Sequence, residues 1–138
     1  MLELADDRTL GVQELIAKHP LAPATVLDVI ARTAGTLVAR MVAQHHNCSS
    51  GTLTRLAANG SRVTKQAVIK NPNCPLEVLE QLAGASEAPV RWELTQNPRT
   101  PVATILRLMT DEHKAVRAAA ARHPSLPDEY RVLHQAMK

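Results

Sequence analysis

The chain has 138 residues, 45% hydrophobic and 21% charged, with a formal charge of +3. These figures fit one ordinary globular domain and exclude a charge-dense tail built for nucleic acid, although an anionic partner is permitted. No stretch approaches the ~18 consecutive apolar residues of a membrane helix, and the opening MLELADDRTL lacks the basic and apolar regions of a secretory signal, so a cytoplasmic protein with no membrane partner is expected.

Aromatic content is extreme: no Phe, one Trp and one Tyr, which leaves Leu, Val, Ile, Ala and Met to make the core. Two cysteines, Cys48 and Cys74, are too few for a disulfide framework and fit a reducing compartment. In stacked helices, equivalent positions lie about 8–10 Å apart, beyond the ~7 Å Cα limit of a disulfide, so both are expected to be small packing residues.

From the N-terminus, the first element is a helix over 12–18, with Val12 and Ile16 four residues apart. His19 then opens HPLAP, followed by apolar-striped helices over 23–31 and 37–44. The same succession restarts every 26 residues: HHNCS at His45, NPNCP at Asn71, NPRTP at Asn97 and HPSLP at His123. Leu27, Leu53, Leu79 and Ile105 share one column, and Leu4, Ile30, Leu56, Leu82 and Leu108 another, with Ala5, Ala31, Ala57 and Ala83 following. The later helices align through Val12, Val38, Val90 and Val116, and through Ile16, Val42, Val68, Leu94 and Ala120.

Each unit therefore holds a proline-led helix and a second helix. The first proline of a pair, as at Pro72, ends the preceding helix by removing a donor and biasing the residue before it away from helical dihedrals. The second, as at Pro75, is expected at the first helical position, and Thr100 is expected to cap the helix after Pro101. His46 and Ser49 interrupt both proline columns in one unit. His19, His45, Asn71, Asn97 and His123 share a column where polar side chains can bond backbone freed between helices.

Helices of about two turns are unstable alone, so the copies must stack. The expected architecture is all-α: a solenoid of short helix pairs in a single repeat domain over 1–138. Partial repeats occupy 1–18 and 123–138, and full repeats occupy 19–44, 45–70, 71–96 and 97–122. The ends look adapted to water, with Met1 in the leucine column at one end and Arg131 and His134 at the other.

The succession in VRAAAARHPSLP and VRWELTQNPRTPVATILRL, with its double prolines and LxxL spacing, resembles the variant leucine-rich repeat family over nearly the whole chain. The resemblance implies a right-handed superhelix of alternating α and 3₁₀-like helices with no lining strand. One member of that family carries an N-terminal cysteine cluster for an iron–sulfur centre. Here no cysteine precedes Cys48, and no cofactor is expected. The family shares no catalytic activity, and fold alone does not assign one.

Candidate chemistry is sparse. His45, His46 and Cys48 crowd together, but their spacing matches no zinc motif, and no metal is expected. Ser49 and Ser50 lie near His46 without a third group to orient a base. Gly51 and Gly60 are isolated rather than part of a phosphate loop, and the pairs Asp6–Asp7, Asp111–Glu112 and Asp128–Glu129 fit turns and helix starts. The chain is expected not to be an enzyme.

Charge separates the helix sets. The second helices carry Lys18, Arg40, Lys65, Lys70, Arg91, Arg117 and Arg122 against only Glu14 and Glu93. On a 100° wheel, Arg40, Gln66 and Trp92 fall opposite the buried Val and Ile columns, with Lys70, Gln96 and Arg122 one turn on. Trp92 beside Arg91 is a candidate anchor, since Trp and Arg concentrate binding energy at interfaces. The column Lys65, Arg91 and Arg117 has a second account, in which its stems cover apolar surface and its heads pair with acids in the adjoining repeat. The leading expectation is a protein-binding scaffold using Arg40, Lys65, Gln66, Lys70, Arg91, Trp92, Gln96, Arg117 and Arg122. The alternative is a nucleic-acid module contacting phosphates through the same strip.

Overall fold

The computed structural model describes residues 10–131, and all regular structure among them is α-helical, with no strand. The expectations at Met1, Leu4, Ala5, Asp6, Asp7 and His134 fall outside the described residues. The chain divides into two compact units, Met1–Pro75 and Leu76–Lys138.

Unit 1 contains α1 (Leu10–Lys18), α2 (Ala24–Thr33), α3 (Thr36–Gln44), α4 (Ser50–Asn59) and α5 (Arg62–Lys70). Helix α3 packs between α1 and α5, while α2 and α4 lie against each other and against α3. Between these layers Leu27, Ile30, Leu53 and Leu56 of the proline-led helices meet Val38, Val42 and Val68 of the second helices, all buried. Each aliphatic side chain withdrawn from water contributes about 1.5–3 kcal/mol, which gives short helices their stability. Thr64 occupies the valine column in α5 and is equally buried.

Unit 2 contains α6 (Leu76–Leu82), α7 (Ala88–Gln96), α8 (Val102–Leu108) and α9 (Lys114–Ala121), with a further helical turn beginning at residue 128. Helices α7 and α9 pack side by side, and α8 touches both. Leu79, Leu82, Val90, Leu94, Ile105, Leu108, Val116 and Ala120 form the core.

Three local expectations are corrected. Proline-led helices are α-helical rather than 3₁₀-like, as shown by four-residue bonds such as Leu27 N to Pro23 O and Ile105 N to Pro101 O. Pro23 and Pro101 stand at the N-cap with extended ψ, one residue before the first helical position, and their carbonyls accept those first bonds. Thr100 does not cap α8; its buried hydroxyl donates to Leu94 O at 2.7 Å, closing the end of α7. Where serine replaces the second proline, Ser49 caps α4 through its Oγ, which accepts from Thr52 N.

The His/Asn column joins turns that lie one period apart. His45 Nε2 meets His19 O at 2.7 Å, Asn71 Nδ2 donates to His45 O at 3.0 Å, and His123 Nε2 meets Asn97 O at 2.8 Å. The other polar atom of each side chain accepts from the backbone N–H two residues on, in His45 to Asn47, Asn71 to Asn73 and His123 to Ser125. Because Nδ1 accepts in both histidines, Nε2 carries the proton. Asn47 and Asn73 add bonds to Ala22 O and Cys48 O.

Asn71 is 3% exposed and also donates to Ala43 O. Asn71→Ala strands two carbonyls and the Asn73 N–H away from side-chain partners. It is expected to lower unfolding stability by about 2–3 kcal/mol in urea denaturation followed by circular dichroism.

Candidate functional site

The second helices do not present one uniform basic face. In unit 1, Arg40 and Lys70 are exposed on α3 and α5, and Lys65 and Gln66 are half-buried on α5. In unit 2, Trp92 and Gln96 of α7 and Arg122 after α9 are exposed, and Arg117 of α9 is half-buried. Arg91 departs from the expected strip altogether, at 6% exposure.

Arg91 is taken up locally. Its Nε and Nη2 donate to Asp111 Oδ2 and Oδ1 at 2.7 and 3.2 Å, while Nη1 donates to Ala85 O and Ser86 O in the loop before α7. Burial pushes the Asp111 carboxyl up, but the Arg91 hydrogen bonds and charge, with the His113 N–H, bring it below the usual range. Arg117 repeats half of this grip, donating from Nη1 to Asp111 O and Glu112 O in the loop before α9. Arg91 thus pairs with an acid 20 residues on, in the adjoining unit of the sequence period, whereas Arg117 bonds backbone carbonyls and no acid side chain. Lengths of five to six residues from helix to preceding loop suit an arginine stem folding back along its own helix.

Trp92, Leu76 and Val102 are the exposed large apolar side chains among the described residues of unit 2. Trp92 is 39% exposed and borders an apolar groove of about 270 Å3 with Ala88, Pro89, His113, Ala115 and Val116. Pro89 lies in the first turn of α7, and the small Ala115 of α9 leaves room beside the indole. His113 caps α9, its Nδ1 accepting from Ala115 N at 3.3 Å. The sequence wheel located Trp92 on this face, whereas the groove depends on alanines whose smallness carries no pattern of its own.

The histidine–cysteine cluster is absorbed by structure. Both ring nitrogens of His45 engage backbone groups, and its ring stacks on His46 at 4.7 Å. Cys48 and Cys74 are buried free thiols. Burial, and then the Asp28 charge, push the Cys48 thiol up to about 12, which keeps it protonated and weakly nucleophilic at neutral pH. Among the described residues no three His, Cys, Asp or Glu side chains converge as metal ligands.

A second charged cluster, not anticipated from the sequence, gathers on Asp28 of α2. Arg55 Nη1 donates to Oδ1 at 2.6 Å, Thr52 Oγ1 to Oδ1 at 2.8 Å, and Arg32 Nη2 to Oδ2 at 3.1 Å. Burial raises the Asp28 carboxyl, but these bonds outweigh it and bring the pKa to about 2 from 3.8.

Comparison with protein families, curated proteins and solved structures finds no match to this chain. No described helix is long and apolar enough to cross a membrane.

Two outcomes follow from this electrostatic arrangement. Arg91→Ala leaves Asp111 and two loop carbonyls without the guanidinium and is expected to cost about 3 kcal/mol in urea denaturation. For Asp28, the folded pKa lies below the unfolded one, so its contribution is complete above about pH 4 and fades as pH falls through 2. Asp28→Asn is thus expected to be less stable than wild type at pH 6, with the difference in urea midpoint shrinking toward pH 2.

Proposed function

We propose that the protein is a non-enzymatic repeat scaffold that docks another protein on the outer face of its second helices, with Trp92 as the anchor. The apolar groove beside Trp92 carries this reading: the chain's only tryptophan is held at the surface over small side chains rather than in a core that lacks aromatics. A partner side chain placed there would bury apolar area against the indole, and water-excluding aromatic sites of this kind are where interface energy concentrates. Exposed Gln96 and Arg122 supply polar rim positions in the same unit.

The architecture behind this reading is a 26-residue helix pair repeated along the chain, as a right-handed α-solenoid of the variant leucine-rich repeat kind. Support comes from the helix starts: proline-led helices begin at 24, 50, 76 and 102, and second helices at 10, 36, 62, 88 and 114. Nucleic-acid binding through phosphates is the weaker reading, because the Arg91 guanidinium is spent on Asp111 and loop carbonyls and Arg117 Nη1 is held by two loop carbonyls.

Photo-crosslinking from position 92 identifies the partner, and the complex is then rebuilt from purified components. Trp92→Ala is expected to weaken that complex at least about 30-fold, the scale of a hot-spot residue, with unchanged circular dichroism. Unchanged affinity removes the anchor. Binding to random duplex DNA that vanishes with salt and survives Trp92→Ala favours the phosphate reading instead.

A further inference from the structure

Unit 1 contains a groove of about 250 Å3 between the α2–α3 loop and the end of α4, lined among others by Arg32, Ala39, Arg55, Asn59 and Ser61. Unit 2 has a groove at the corresponding positions, where Ala83, Arg91, Leu108 and Asp111 stand for Ala31, Ala39, Leu56 and Asn59. The unit 2 groove, about 430 Å3, is lined by the Arg91 guanidinium, which Asp111 neutralises. In unit 1 both members of that pair are missing: Ala39 has no guanidinium to insert, and Asn59 has no charge to receive one.

Unit 1 keeps Arg55, the counterpart of Arg107 in the unit 2 groove, and adds Arg32 where unit 2 has Gly84. Asp28 holds Arg55 through Nη1 and Arg32 through Nε and Nη2. One carboxylate against two guanidinium groups leaves one positive charge in excess. Arg55 Nε and Nη2 and Arg32 Nη1 have no acceptor among the described residues. Asp28 stays ionised well below neutral pH, so the two cations remain oriented by a fixed anion. Fixed guanidinium forks with spare donors match the oxygens of a phosphate or similar oxyanion, and the Ser61 and Thr36 hydroxyls add polar lining. Gly60 also lines the groove, and there a Cβ would collide with Leu56 O and the Thr64 methyl, so that edge is restricted to glycine.

We propose that the unit 1 groove is a binding site for a phosphate group, seated against Arg32 and Arg55 with Asp28 as the positioning carboxylate. It is independent of the Trp92 groove. The phosphate is either a free ion or one carried on a partner's serine, and the donors on the wall serve both.

The test follows the arginine Nε–H signals of the full chain by NMR during titration with sodium phosphate, against sodium chloride at matched ionic strength. A saturable shift at Arg32 and Arg55 is expected in phosphate alone, weakened on the order of tenfold by Arg32→Gln or Arg55→Gln. Ala39→Arg combined with Asn59→Asp installs the unit 2 pair and is expected to abolish the shift in a chain that still folds by circular dichroism. Should that double variant not fold, Arg32→Gln decides alone, since Arg32 is 61% exposed and contributes little to the core. A parallel titration with a phosphoserine peptide assigns the source: tighter binding than inorganic phosphate indicates a protein-borne group, weaker binding a free ion. Equal shifts in chloride, shifts that do not saturate, equal binding of the unphosphorylated peptide, or retention of affinity in both glutamine variants would each overturn the proposal.

Discussion

Between consecutive helix pairs the backbone turns sharply, and a turn pressed against its neighbour carries N–H and C=O groups that water reaches poorly. His45, Asn71 and His123 solve this with one side chain each, accepting from their own turn and donating to the carbonyl of the turn one period earlier. Histidine and asparagine serve equally because each offers an acceptor and an N–H on the same planar group, separated by enough to span both tasks. Within each unit these bonds tie one turn to another beside the buried Leu and Val side chains, so a polar seam runs next to the aliphatic core. Arg131 Nη2 donates to the His123 carbonyl at 3.0 Å.

The surface chemistry follows from how charge is spent. Basic residues outnumber acids on the second helices, yet in unit 2 two of the arginines face backward along their own helices and brace the loops before them. In unit 1, where Ala39 stands 52 positions before Arg91, two other arginines gather on Asp28 at the groove wall. Grooves at positions 52 residues apart thus carry different charge arrangements.

Much of the helix layout was legible because it is written locally. Proline columns mark boundaries, and Val38–Val42 or Leu79–Leu82 spacing marks a buried stripe; the observed helices 24–33 and 36–44 fall within two residues of those expected. The proline position missed by one residue, because an N-cap proline and a first-turn proline differ only in ψ, which the residue type does not determine. The exposure of Trp92 was likewise readable from its angle against the valines. For Arg91 the sequence offered pairing with an acid of the adjoining repeat beside exposure on the strip, but it did not single out Asp111, which lies 20 positions away in another loop. Asp28 with Thr52 and Arg55 was hidden for the same reason, since cross-repeat contacts among unlike residues leave no periodic trace.

A core without aromatics has one optical consequence. The lone indole sits at the lip of the unit 2 groove, and the single phenol of the chain is at Tyr130, far along the sequence. Intrinsic fluorescence excited at the red edge of protein absorption therefore comes from one residue at one surface position. Its emission maximum and its access to quenchers report on the surroundings of that one position directly, with no dye attached and no background from the interior.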